Sequence, residues 1–321
     1  MNWNITNIPS QQGRTVLVTG ANSGIGREAA QALAANGAHV IMACRSREKA
    51  DKAMIHIRKR WPKAELEFLE LDLARQQSVH EAARQVRERH GKLDLLINNA
   101  GVMWVEKSLT EDGFETQFGT NHLGHFTLAA LLIDTMMNVP GSRVVTVSSL
   151  AHRAGRIQFD DPNLAREYGR HRAYAQSKVA NLLFALELQR RLFAADAQTL
   201  SVACHPGLSN TNLIGPGLVR QSPLRLGALV RPFMALIAQN ARSGALPTLY
   251  AATSDAVRPG GYYGPQWLGE FMGPPGPAQV SGYARNEEVA ARLWRLSESL
   301  TGVNSPLPEP QSGEQAGTAA E

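Results

Sequence analysis

Short, continuously apolar runs alternate along this chain with longer segments in which apolar residues recur every three or four positions. RTVLVTG, AHVIMACR, ELEFLELDL, KLDLLINNAG, SRVVTVSS and TLSVACHPG are runs of the first kind and read as strands. Between them, GIGREAAQALAANG closes on Gly37, SREKADKAMIHIRKR opens on the capping residue Ser46, and RQQSVHEAARQVRERHG separates the third and fourth runs. Helical periodicity also covers about 113–137 and about 173–195. Strands that are apolar on both faces must be buried on both, which predicts a parallel sheet with helices on each side. The fold class is therefore α/β, a doubly wound parallel sheet (Rossmann fold) in a single domain.

The rhythm divides the chain further. Residues 1–13 form an N-terminal extension and 14–207 the core. Residues 208–240 are an apolar stretch punctuated by Gly and Pro, which reads as a substrate lid. Residues 241–301 complete the domain with a helix near 241–254, a short GGYYG strand and a helix near 286–300, and 302–321 read as a disordered tail rich in Pro, Gly, Gln and Glu.

Composition adds less. A chain of 321 residues that is 43% hydrophobic and 19% charged can bury a large core. The net charge of +5 comes from basic residues scattered over helix-like text such as HIRKRWPK, which suits solvated helix faces and gives no nucleic-acid partner. Cys44 and Cys204 each sit in an apolar run and read as buried, reduced thiols, so the expected compartment is cytoplasmic. No leader pattern and no run long enough for a transmembrane anchor is evident.

The segment between the first strand and first helix, VTGANSGIG, places Gly20, Gly24 and Gly26 around Asn22, Ser23 and Ile25. Glycines there let the backbone approach a ligand while a helix N-terminus faces a pyrophosphate. The spacing is G-x-x-x-G-x-G rather than the generic G-x-G-x-x-G. At the end of the second strand the chain reads Ala43-Cys44-Arg45-Ser46-Arg47, with Arg45 where an acid would otherwise take a ribose hydroxyl. That favours NADP(H) over NAD(H). In YAQSK, Tyr174 and Lys178 stand four apart, one turn of a helix, on a common face. His122 and His125 lack a third ligand at a metal-binding spacing, and no metal site is assigned.

With NNAG at 98–101, Ser148-Ser149, YAQSK and HPGLSNT following in order, the chain resembles the short-chain dehydrogenase/reductase family from about Thr15 to Thr211, and weakly beyond. GFETQFGTNHLGHFTLAALL and SSLAHRAGRI narrow the likeness to the branch containing retinol dehydrogenases, the WW-domain-containing oxidoreductase and light-dependent protochlorophyllide reductase. The resemblance implies Asn121, Ser149, Tyr174 and Lys178 as catalytic residues. It implies Asn99, Ala100 and Gly101 beside the cofactor, Asp72 and Leu73 at the adenine, Tyr174 and Lys178 again at the nicotinamide ribose, and Pro206, Gly207 and Thr211 at the carboxamide. The gap from Ser149 to Tyr174 is longer than the family's usual one, filled by RIQFDDPNLAREYGRHRA, an insert that resembles those of the retinol dehydrogenase branch.

Reduction of a carbonyl builds charge on oxygen that must receive a proton. A lysine ammonium lowers a tyrosine pKa from near 10, a serine hydroxyl steadies the same oxygen, and an asparagine can place a water behind the lysine. The expected activity is that of an NADP-dependent alcohol dehydrogenase or carbonyl reductase acting on an apolar alcohol, aldehyde or ketone, such as a retinoid, steroid or fatty aldehyde. An idle NADP(H)-binding regulator and a protochlorophyllide-reductase-like enzyme are the alternatives. The latter resemblance is weakened by Val179-Ala180, where that family carries a cysteine after the lysine. The family often dimerises through the helices that would contain Asn121 and Tyr174, so a homodimer is also implied.

Overall fold

A computed structural model describes residues 3–208 and 241–310. Thr211 and the lid from 209 to 240 lie outside the described residues, as does the tail from 311 onward. The first six strands are β1 (Thr15–Thr19), β2 (His39–Cys44), β3 (Glu65–Glu70), β4 (Leu95–Asn98), β5 (Arg143–Val147) and β6 (Leu200–Cys204). A hairpin follows, β7 (Tyr262–Trp267) and β8 (Met272–Pro277). The order in the eight-stranded sheet is β3-β2-β1-β4-β5-β6-β7-β8, parallel throughout except for the β7–β8 pair. The chain thus leaves β1 for one side of the sheet, through β2 and β3, and then crosses to the other at β4. A ligand crevice forms at such a reversal, beyond the carboxyl ends of the strands.

The apolar strands are explained by two layers of helix. On one side α1 (Gly24–Ala35), α2 (Arg47–Arg60) and α7 (Ala241–Thr253) pack with Val16, Val18, Val40 and Met42. On the other, α3 (Gln76–Arg89), α5 (Gly124–Leu132) and α6 (Arg170–Ala194) pack with Leu17, Ile41 and Leu96. Odd and even positions of the central strands therefore enter different cores, which keeps both faces of those strands apolar, whereas the edge strand β3 (ELEFLE) carries glutamates.

Two expectations change. The helix expected over 113–137 is broken into α4 (Thr116–Phe118), a π-helical turn (Gly119–Leu123), α5 and a 3-10 turn (Ile133–Thr135). At the end of the π-helical turn the helix packs closely: a Cβ on Gly124 would lie 2.5 Å from the Leu73 carbonyl oxygen. The tail expected to be disordered from 302 is ordered through 310, because Val303 and Leu307 are buried and Glu309 meets Arg295 at 2.6 Å. The N-terminal extension also packs, with Trp3 edge-on to Tyr250 at 5.4 Å. Cys44 and Cys204 are unpaired and buried. Among the described residues no helix is long and apolar enough to cross a membrane.

The last helix, α8 (Glu287–Thr301), covers α6. Trp294 stacks on Phe184 at 5.8 Å, stands edge-on to Phe126 at 5.1 Å, and carries the Arg191 guanidinium 4.5 Å from its ring. Within the chain α6 is buried almost throughout from Ala173 to Leu188. Trp294→Ala should cost about 3–5 kcal/mol by opening a cavity between α5, α6 and α8, read as a lowered urea midpoint; an unchanged midpoint would show that this aromatic contact does not hold α8.

Candidate active site

The loop after β1 turns at Gly20, where φ is 68°, and enters α1 at Gly24, where φ is 53°. A Cβ on Gly26 would stand 2.5 Å from both the Gly20 carbonyl oxygen and Asn99 Nδ2, so α1 reaches the exit of β4 only without a side chain there. Ser23 holds the N-cap with extended backbone but makes no side-chain cap bond, and the first turn carries no acidic residue. The partial positive charge of this helix end is therefore uncompensated by side chains, as anion binding requires.

Beside it lies a cleft of about 240 Å³. It is lined by Gly20, Asn22, Ser23, Gly24, Ile25 and Gly26 from the β1–α1 turn, by Asn99, Ala100, Gly101, Val102 and Met103 beyond β4, and by Val147, Ser148, Tyr174, Lys178 and Pro206. Gly207, with φ 68°, tucks against the hairpin, where a Cβ would meet the Phe271 carbonyl oxygen at 2.4 Å. Arg45, Asp72 and Leu73 are not brought into the cleft wall. Arg45 is exposed at the end of β2, Asp72 accepts from the Ala74 amide at 3.0 Å, and Leu73 is buried in the core.

A hydrogen-bond network fixes the cleft's far side. His125 Nδ1 lies 2.9 Å from the Asn121 carbonyl, which only accepts, so the proton sits on Nδ1 and Nε2 accepts from the Thr19 hydroxyl at 2.9 Å. The Thr19 oxygen in turn receives the amides of Asn99 and Ala100, each at 2.9 Å. Burial, with the Asn121 bond opposing it, pushes His125 down to about 4 and keeps the ring neutral. Asn121 itself is fully buried: its Oδ1 accepts from the Val102 amide at 2.8 Å, and its Nδ2 donates to the Val102 carbonyl and to Ser177 Oγ, both at 2.9 Å. It grips the strand exit like a backbone partner, and a Cβ on Gly101 would come within 3.0 Å of it and 3.6 Å of Lys178 Nζ.

Tyr174 and Lys178 are 8% and 5% exposed, one turn apart on α6, with Nζ 5.8 Å from the phenol ring centre. Lys178 Nζ donates to the Val147 carbonyl at 3.1 Å, and Ser149 is hydrogen-bonded to the phenol. The lowered phenol pKa expected from the sequence is not found. Burial pushes Tyr174 up to about 12 against the Ser149 bond, and burial pushes Lys178 down to about 8. Desolvation is the leading cause of both shifts.

Ser149 caps a short turn by accepting from the Ala151 amide at 3.2 Å, while His152 Nδ1 donates to its carbonyl at 2.8 Å. His205 accepts from the Gly207 amide through Nδ1, so its Nε2 carries the proton. That atom lies 3.2 Å from Glu270 Oε2 yet off the line a hydrogen bond needs, and burial pushes the ring down to about 3, so contact distance here is not an ion pair. Sequence reasoning missed Thr19, Val102, Met103, Val147 and Ser148. Their signal was only position, at or just past the carboxyl end of a strand.

The sequence profile of the short chain dehydrogenases matches residues 14–216. The chain is 41% identical to Retinol dehydrogenase 13 of Homo sapiens over 295 residues, 92% of this chain and 86% of that one. It is 39% identical to Retinol dehydrogenase 12 of Homo sapiens, over 91% of this chain and 87% of that one. A crystal structure of an uncharacterized protein from Mycobacterium paratuberculosis superposes with a TM-score of 0.79 at 41% identity, covering 96% of this chain and all of that chain (100%). A short chain dehydrogenase from Shigella flexneri complexed with NADP shares the fold, with a TM-score of 0.61 at 21% identity over 80% of this chain and 98% of that one.

Because the Lys178 pKa falls to about 8 on folding, the unfolded chain binds the extra proton between about 8 and the ordinary value near 10.4. Stability contributed by this group rises with pH across that window, and below it the fold carries the full cost of a buried charge. Lys178→Met should therefore be more stable than the parent at pH 7 without added cofactor, with the gap closing towards about pH 10.5. A gap in denaturation midpoint that does not change with pH would contradict the buried ammonium.

Proposed function

The chain belongs to the short-chain dehydrogenase/reductase family, in its retinol-dehydrogenase-like branch, and on that premise we propose an NADP(H)-dependent oxidoreductase that interconverts alcohol and carbonyl on an apolar substrate of retinoid, steroid or fatty-aldehyde type. The observation that carries this reading is the burial of Tyr174 and Lys178 together in the wall of a glycine-lined cleft, with the half-buried Ser149 bonded to the phenol. The glycine approach at Gly26 and the uncapped start of α1 fit a dinucleotide, with Gly20, Asn22, Ser23, Gly24 and Ile25 at the pyrophosphate and Asn99, Ala100 and Gly101 alongside. When bound, the nicotinamide supplies or accepts the hydride.

The protein's own groups handle the proton. A phenol pushed up to about 12 stays protonated near neutrality, and in the reducing direction Tyr174 delivers that proton to the substrate oxygen. Ser149, bonded to the same hydroxyl, stabilises charge developing on that oxygen. Lys178, at about 8, is predominantly charged at neutral pH and holds the phenolate once the proton has left. Asn121 acts as a positioning residue through Val102 and Ser177. Arg45 at the end of β2 suits a 2′-phosphate, with Asp72 and Leu73 at the adenine and Pro206, Gly207 and Thr211 at the carboxamide. The Leu- and Val-rich segment 208–240 supports an apolar substrate. Two buried, unpaired thiols support a reducing, cytoplasmic setting.

Tyr174→Phe removes one hydroxyl. It should keep the fold and NADPH affinity while turnover of medium-chain aldehydes, followed by NADPH absorbance, drops about 10²–10⁴-fold; a folded variant with parental turnover would refute the assignment. For the cofactor, fluorescence titration should show NADPH binding more tightly than NADH, with Arg45→Asp narrowing or reversing the preference. Equal affinities in the parent protein would sink the choice of NADP(H).

A further inference from the structure

At the end of the sheet away from the cleft, three side chains with no role in the chemistry above converge. His39 is the first residue of β2, Glu67 lies on β3, and His90 closes α3 as its C-cap. In the parallel register His39 pairs with Glu65 and Ile41 with Glu67, so His39 and Glu67 share the sheet face covered by α3. That face receives His90 as the helix ends.

The donor atoms meet closely. His39 Nε2 and His90 Nε2 each lie 3.1 Å from one atom, Glu67 Oε2, and all three lie within 4.8 Å of one another. The two rings face at 5.4 Å between centres. Arg89 Nη1 holds the other carboxylate oxygen, Oε1, at 3.0 Å, which leaves Oε2 as the one pointed between the imidazoles. The side chains of His39, Glu67 and His90 are 31%, 22% and 17% exposed, so the point of convergence is reachable from solvent.

We propose that His39, Glu67 and His90 form a binding site for a zinc(II) ion, independent of the hydride-transfer site. Two imidazoles and one carboxylate are a donor set zinc takes, and one calcium and magnesium do not prefer. With metal–ligand bonds of about 2.0–2.2 Å, tetrahedral ligands stand roughly 3.3 Å apart. The two His–Glu separations already match that within a few tenths of an ångström, and only the two imidazole nitrogens must draw together. Each ring exchanges its Nε2 proton for the Nδ1 tautomer on binding, and His39 Nδ1 then faces Glu65 Oε2, 3.8 Å away, as an outer partner. The open side leaves a fourth position for water. Such an ion would tie β2, β3 and the end of α3 at one point, and stabilise the native chain by binding only there.

Zinc chloride titrated by calorimetry into the full, untagged chain should bind one ion per chain and raise the melting temperature. His90→Ala and Glu67→Gln should each weaken that binding more than tenfold and abolish the shift. Both should bind NADPH as the parent does, which shows that the fold is intact. His56→Ala, an exposed histidine on α2, should leave zinc binding unchanged. Absence of stoichiometric binding, or parental affinity in both site variants, would overturn the proposal.

Discussion

One hydroxyl group, that of Thr19, sets the geometry on which the cleft depends. Its single proton goes to His125 and its lone pairs receive two successive amides beyond β4, so one atom joins the end of β1, the exit of β4 and α5, and through His125 the π-helical turn. A valine of the same shape would fill the space and leave two amides and an imidazole nitrogen unpaired in a buried place, at roughly 1–3 kcal/mol each. The approach of α1 through Gly26, the grip of Asn121 on Val102 and the placement of Gly101 under Lys178 all presuppose that alignment.

Much of this was legible in the sequence, and the reasons differ by element. The central parallel strands could be read because burial on both faces demands continuous apolar text, as in TVLVT and HVIMAC. The segment 113–137 could not, since apolar periodicity carries no information about local winding or about a glycine pressed against a distant carbonyl; Gly124, next to the break at Gly119–Leu123, meets Leu73, which is far away in sequence. The hairpin partner MGPPGP has none of the composition of a strand and is one through pairing with β7. Residues 302–310 looked disordered by composition, yet two apolar side chains, Val303 and Leu307, suffice to anchor them. The cleft glycines, Tyr174, Lys178 and Ser149 were legible by motif; the protonation of the pair was not, because it is set by burial, a property of the assembled fold.

That burial also separates the protonation of the two residues. A tyrosine and a lysine in water differ little in pKa and would compete for the same proton. Desolvation drives them apart in opposite senses, to about 12 and about 8, because it disfavours an anion in one case and a cation in the other. At neutral pH both groups therefore keep their protons, the lysine losing its own only above about 8 and the phenol only at about 12.

The two cysteines are buried, and their thiols are pushed up to about 12 by desolvation. Thiolate is the form that adds to electrophilic carbonyls and to conjugated alkenes, so at neutral pH neither sulfur can enter such reactions. Conjugated aldehydes are among the more damaging electrophiles a protein can meet. A protein whose thiols are confined to these two buried positions would be spared covalent modification at sulfur by such electrophiles, and its working lifetime would be set by other chemistry.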